Sequence, residues 1–303
     1  MLTLSKRVLL FTFTNILVLT SVSVILWATG LGRALQGQGI HYEVLLVICT
    51  VWGVGGSFIS LALSKVMAKW MMGVQIIDPG TADPDEQHLY QMLVRLSRAA
   101  NIPVPEFGTY DSPEVNAFAT GPSKNNSLVA VSTGLLYEME EEEIEGVIAH
   151  ELAHIANGDM VTMTLIQGIV NAFAMFLARM VAYVIIQATS RDDSGGGFMG
   201  AMAYYIVVSI LQGFFLVLGS IVVNTFSRWR EYRADAGGAK LAGREKMIAA
   251  LVALKEMEYP DDVEGMHPAY KTMQISSQGS LMELFATHPP LDERIKALEE
   301  MKI

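Results

Sequence analysis

The sequence predicts a mainly helical α+β protein built into a membrane, and three observations lead there. A His150-Glu-Leu-Ala-His154 pentad lies in a helix-patterned stretch, four apolar runs are long enough to cross a bilayer, and short β-prone segments precede the pentad. With 51% hydrophobic residues and a mean hydropathy of +0.36, the chain is more apolar than an ordinary soluble enzyme, yet 17% of it is charged. The charge is therefore segregated from the apolar runs. A net charge of −10 without a basic stripe excludes nucleic acid as a partner. Cys49 is the single cysteine, which rules out an intrachain disulfide and a cysteine-built metal site.

The apolar runs cover residues 8–28, 44–66, 161–188 and 199–223, each near the ~20 residues that span a bilayer. The first follows Lys6 and Arg7 as a signal peptide would. It exceeds the ~7–15 residues of a signal core, however, and Trp27 stands where small residues would mark cleavage. It reads as an uncleaved anchor. Lys65 and Lys69 close the second run, and Arg228, Arg230 and Arg233 follow the fourth, whereas the opposite loops carry only Arg33 and Arg191. The excess of basic residues on one side puts both termini and the chemistry in the cytoplasm. Gln167, Asn171 and Arg179 interrupt the third run; they face other helices, line a substrate path, or mark a hairpin that does not cross.

Between the second and third runs, Asp83 caps a helix with Pro84 in its first turn and Leu89, Met92, Leu93 and Leu96 on one face. Pro103 and Pro105 end that pattern, and residues 107–110, 115–119 and 128–131 read as short strands separated by Gly, Pro and Asn. Glu140 to Glu143 and Glu145 then mark a helix start, because acids are favoured near the positive end of the helix dipole. Ile144, Val147, Ile148, Leu152 and Ile155 form the buried face of that helix, with the two histidines at its border.

His150 and His154, four residues apart, point from one side of the helix and can grip one ion, with Glu151 beside them. A catalytic zinc takes three protein ligands and leaves a position for water, whose proton a nearby carboxylate accepts. The pentad arises by chance in about 4% of chains this long, so context decides. A third histidine at position 160 would extend the motif, but Met160 is there. His88 fits a surface helix, and His267 precedes Pro268 in a loop. Glu231 and Asp235, four residues apart in the helical stretch 227–241, are better placed: Glu231 as third ligand, Asp235 accepting a hydrogen bond from a ligand imidazole.

An amphipathic helix is expected near residues 246–257, then a polar loop to Ser280, an apolar segment at 281–285, and a terminal helix opened by Thr287-His-Pro-Pro-Leu-Asp-Glu-Arg. His288 is either a helix-entry residue or, on its proline-stiffened backbone, a donor to the oxyanion formed when water attacks a peptide carbonyl.

Together, Asn116-Ala-Phe-Ala, His150-Glu-Leu-Ala-His-Ile-Ala-Asn-Gly-Asp, Arg228-Trp-Arg-Glu-Tyr-Arg-Ala-Asp, the Thr287 segment and the four runs resemble the M48 membrane metalloproteases. That family holds the bacterial HtpX heat-shock proteases and the Ste24 CAAX proteases. The resemblance implies a gluzincin domain similar to thermolysin and one Zn2+ per chain on His150, His154 and Glu231, with Glu151 as base. It also implies an edge strand at Asn116, Ala117, Phe118 and Ala119 to which substrate adds, and a quality-control role in the inner membrane. The expected partners are misfolded or unfolded membrane-protein substrates and the lipid bilayer; no oligomeric state is assigned. The expected organisation is a transmembrane hairpin at 1–70, a first protease part at 71–159, a second hairpin at 160–224 and a second protease part at 225–303.

Three rivals weigh against this assignment. An intramembrane site-2-type protease would bury the pentad in a span, which five upstream glutamates oppose. A Ste24-like enzyme trimming prenylated peptides inside a helical chamber needs more spans than four. A non-catalytic scaffold with structural zinc has no use for Glu151.

Overall fold

The computed structural model describes residues 41–189, 198–258 and 286–301. The first apolar run, the loop at Arg191, His267 and the segment 281–285 lie outside the described residues. Helix α1 (Tyr42–Met72) leads into β1 (Gln75–Ile76), α2 (Pro84–Ala99), β2 (Glu106–Tyr110), β3 (Ala117–Ser123) and β4 (Asn126–Ser132). The short α3 (Thr133–Glu138) precedes α4 (Glu141–Asn157), α5 (Asp159–Thr189), α6 (Phe198–Ala242), α7 (Arg244–Glu258) and α8 (Leu291–Glu299). The architecture is a mainly helical α+β fold with one small sheet.

Two units separate by their contacts. The first comprises residues 41–59, 164–189 and 198–223 among those described. It contains the apolar lengths of α1, α5 and α6, the three described helices long and apolar enough to cross a membrane. Tyr42, Leu46 and Cys49 of α1 bury against Phe176 and Met180 of α5. Asn171 donates to the Ser57 hydroxyl at 3.3 Å and accepts from Gln167 at 2.9 Å, so the two amides that interrupt the third run pair along α5 and reach α1 through Ser57. On α6, Tyr205, Ile210, Phe214 and Val217 are exposed, an apolar surface suited to hydrocarbon.

The second unit comprises residues 60–163, 224–258 and 286–301 of those described. Asp83 caps α2 as its sequence predicts, its carboxylate accepting from the backbone N–H of Asp85 and Glu86. The sheet order is β1-β2-β4-β3. Strand β4 is central, parallel to β2 with Glu106 opposite Leu128, and antiparallel to β3 with Phe118 opposite Ala130. Leu128, Val129, Ala130 and Val131 are fully buried, as a strand covered on both faces requires. The edge strand begins at Ala117, one residue later than expected; Asn116 precedes it, exchanging hydrogen bonds with Ser132.

The pentad helix α4 is anchored before any metal chemistry is considered. Glu140 and Glu143 form a capping box at its start. Ile148, Leu152 and Ile155 fill the core with Leu93, Leu96 and Phe107. Buried Glu145 accepts from Arg95 of α2 at 3.0 Å and Lys246 of α7 at 2.9 Å, tying three helices together. Burial alone would raise the Glu145 carboxyl, but these two cations hold it below the usual range. Gly158, in the left-handed region at φ 70°, ends α4 and turns the chain directly into α5.

Candidate metal centre

The site forms where α4 and α6 meet. Helix α6 carries the fourth apolar run into the stretch with Glu231 without interruption for 45 residues, because nothing between Val223 and Ser227 breaks a helix. Gly237 and Gly238 explain the close approach of α6 to α4. A Cβ on Gly237 would come within 2.7 Å of the Ala153 methyl, and one on Gly238 within 2.8 Å of Met247 Sδ and 3.2 Å of the His150 backbone nitrogen. Glu231 and Asp235 are thereby pressed against the histidine pair.

His150, His154 and Glu231 are buried and offer ligand atoms all within 4.8 Å of one another. Nδ1 of His150 lies 3.0 Å from Oδ1 of Asp235, and Nδ1 of His154 lies 2.7 Å from Oδ2 of Asp159. The Asp159 contact is a hydrogen bond that favours the proton on Nδ1 of His154, and Asp235 lies close enough to Nδ1 of His150 to favour the same tautomer, in which both Nε2 atoms are acceptors. These face each other at 3.1 Å, and each lies 3.4 Å from a Glu231 oxygen. Oε1 of Glu231 is buried with no hydrogen-bond partner among the described residues. Converging acceptors of this kind could hold a metal ion. Their separations approach the ~3.3–3.4 Å edge of a tetrahedron with metal–ligand bonds of about 2.0–2.1 Å.

The electrostatics agree with that reading. Burial pushes the His150 imidazole down, but Asp235 and Glu231 more than offset it and raise it to about 9. His154 is raised in the same way, with Asp159 and Glu231 prevailing over its burial. The pocket attracts positive charge, which a divalent ion bound there would supply in place of protons.

Glu151 follows His150 on α4 and is half-buried. His288 is brought into the cluster: its Nδ1 lies 3.1 Å from Oε2 of Glu231 while 61% of its side chain stays exposed. Asp159 and Arg294 also reach the site, although the sequence singled out neither. Asp159 is an acid at the start of an apolar helix, a position that calls for a buried partner. Arg294 pairs with Asp235 through two hydrogen bonds, at 2.8 and 2.6 Å.

The model of peptidase family M48 matches residues 84–302 of this chain, which spans the pentad, Glu231 and the terminal helix. The chain belongs to peptidase family M48. As an M48 member it is 49% identical to the protease HtpX homolog of Bacillus pumilus (strain SAFR-032) over 306 residues, covering 98% of this chain and 99% of that protein. It is 48% identical to protease HtpX of Shewanella sp. (strain MR-4) over 294 residues, covering 97% and 99%. Its fold is similar to the crystal structure of S. mikatae Ste24p, with a TM-score of 0.60 over 92% of this chain and 66% of that one, at 17% identity. At that identity the likeness concerns the fold alone. Family membership and the apolar helices make the chain a multi-pass membrane metalloprotease, with His150, His154 and Glu231 as a cluster able to hold the metal.

Proposed function

We propose that this M48 protease is a zinc endopeptidase of the gluzincin type, cutting misfolded or damaged membrane proteins at the cytosolic face of the bacterial inner membrane. The observation that carries the zinc assignment is the opposed pair of imidazole Nε2 atoms, 3.1 Å apart and closed by Glu231. Two neutral imidazoles and a carboxylate suit zinc. Bound there, zinc supplies a Lewis acid for the scissile carbonyl and lowers the pKa of water. Glu151 accepts the proton of the attacking water and passes it to the leaving amine. His288, largely exposed beside Glu231, donates to the substrate oxygen as negative charge develops on it. An extended substrate adds to the sheet along edge strand β3, Ala117 to Ala119.

The cytosolic assignment is supported by Lys65 and Lys69, which close the second apolar run, and by Arg228, Arg230 and Arg233, which follow the fourth. The quality-control role and inner-membrane address rest on the family resemblance. Metal analysis of the detergent-purified full chain, paired with casein hydrolysis, tests the proposal. About one zinc per chain is expected, with activity lost on chelation and restored by zinc; undiminished activity in metal-free protein would refute it.

A further inference from the structure

We propose that Arg294 is a positioning residue of the metal centre, acting through Asp235 to hold His150 in the orientation that presents Nε2 to the metal. The inference rests on the zinc-site reading above and adds a component supplied by the last helix. Arg294 is 6% exposed, and a buried guanidinium is tolerated only when its charge and donors are matched. Its Nε donates to Oδ2 of Asp235 at 2.8 Å, and an outer guanidinium nitrogen donates to Oδ1 at 2.6 Å. The same Oδ1 lies 3.0 Å from Nδ1 of His150. One carboxylate is thus held as a plate by a two-pronged contact on one side and faces the ligand imidazole on the other.

The sequence places Arg294 for this task. Pro289 and Pro290 set the entry to α8, and Leu298, one helical turn after Arg294, buries among Ala239, Met247 and Leu251. The helix face that seats Leu298 therefore delivers Arg294 inward. Tyr232 donates to Glu293 at 2.9 Å, fixing α8 to α6 beside the pair. A planar fork satisfies both carboxylate oxygens together, which the single ammonium of lysine does not. The same guanidinium lies 3.7 Å from Oε2 of Glu231, beyond hydrogen-bond reach, so Asp235 is its partner.

The test measures zinc affinity of the detergent-purified full chain by competition with a chromophoric chelator, alongside the thermal unfolding midpoint of the metal-free protein. R294Q and R294K should each bind zinc about 10- to 100-fold more weakly, as loss of a group that orients a ligand does. D235N should lose a similar factor, and D235N/R294Q should be no weaker than D235N alone, because both changes break one relay. At saturating zinc, R294K should recover most of its turnover number. K255A, which removes the Lys255–Asp292 ion pair of α8 without touching Asp235, should leave zinc affinity unchanged. If R294K binds zinc as wild type does, or if the losses multiply in the double variant, Arg294 merely braces the fold. Failure of the wild-type chain to bind zinc would overturn the zinc-site reading instead.

Discussion

Asp159 Oδ2 accepts from His154 Nδ1 at 2.7 Å, across the left-handed turn at Gly158 that separates helices α4 and α5. The carboxylate that holds one of the proposed ligands therefore sits at the first residue of a membrane-length helix. Asp159→Asn should weaken zinc binding by roughly 10- to 100-fold while leaving the helix in place, since an amide keeps the shape and loses the charge. Titration with a competing chelator measures this, and unchanged affinity would show that the contact is incidental.

Glu231→Ala should lose zinc outright under conditions where wild type retains it, because only two imidazoles remain of the set that converges here. Equilibrium dialysis followed by metal analysis decides the matter. Normal zinc content in this variant would remove Glu231 from the ligand set.

His288→Phe should lower the turnover number more than it raises the Michaelis constant, as expected of a donor that acts mainly in the transition state. Its 61% exposure means the substitution costs little stability, so steady-state kinetics are interpretable. An unchanged turnover number would leave His288 as an entry residue for α8.

Much of the site is legible in the sequence because it is local. The His150/His154 spacing, the Glu231/Asp235 spacing and the Asp83 cap each follow from the helical period within a few residues. What escaped is tertiary. Arg294 meets Asp235 across 59 residues of chain, and its role shows only once Leu298 seats α8. Strand β1 is two residues long, too short to register as a pattern, and the parallel pairing of β2 with β4 depends on residues about 20 apart. Helix α6 runs on past the point where hydropathy falls and the charges begin, because the backbone has no reason to stop there.

That continuity bears on where the enzyme cuts. Glu231 follows the end of the apolar run at Val223 by eight residues, about 12 Å of helix, and His154 precedes the start of α5 by five. Single-span reporters carrying one cleavable segment at increasing spacer lengths should be cut best at short cytosolic spacers. Equal cutting of distant or external segments would contradict a membrane-proximal site.

The most direct measurement is zinc content and casein hydrolysis on the same preparation of Glu151→Gln. Glu151 is the one acid of the pentad, and the proposed mechanism makes it the base rather than a ligand. The result predicted is about one zinc per chain with hydrolysis abolished. Turnover near that of wild type, with zinc in place, would contradict the catalytic account.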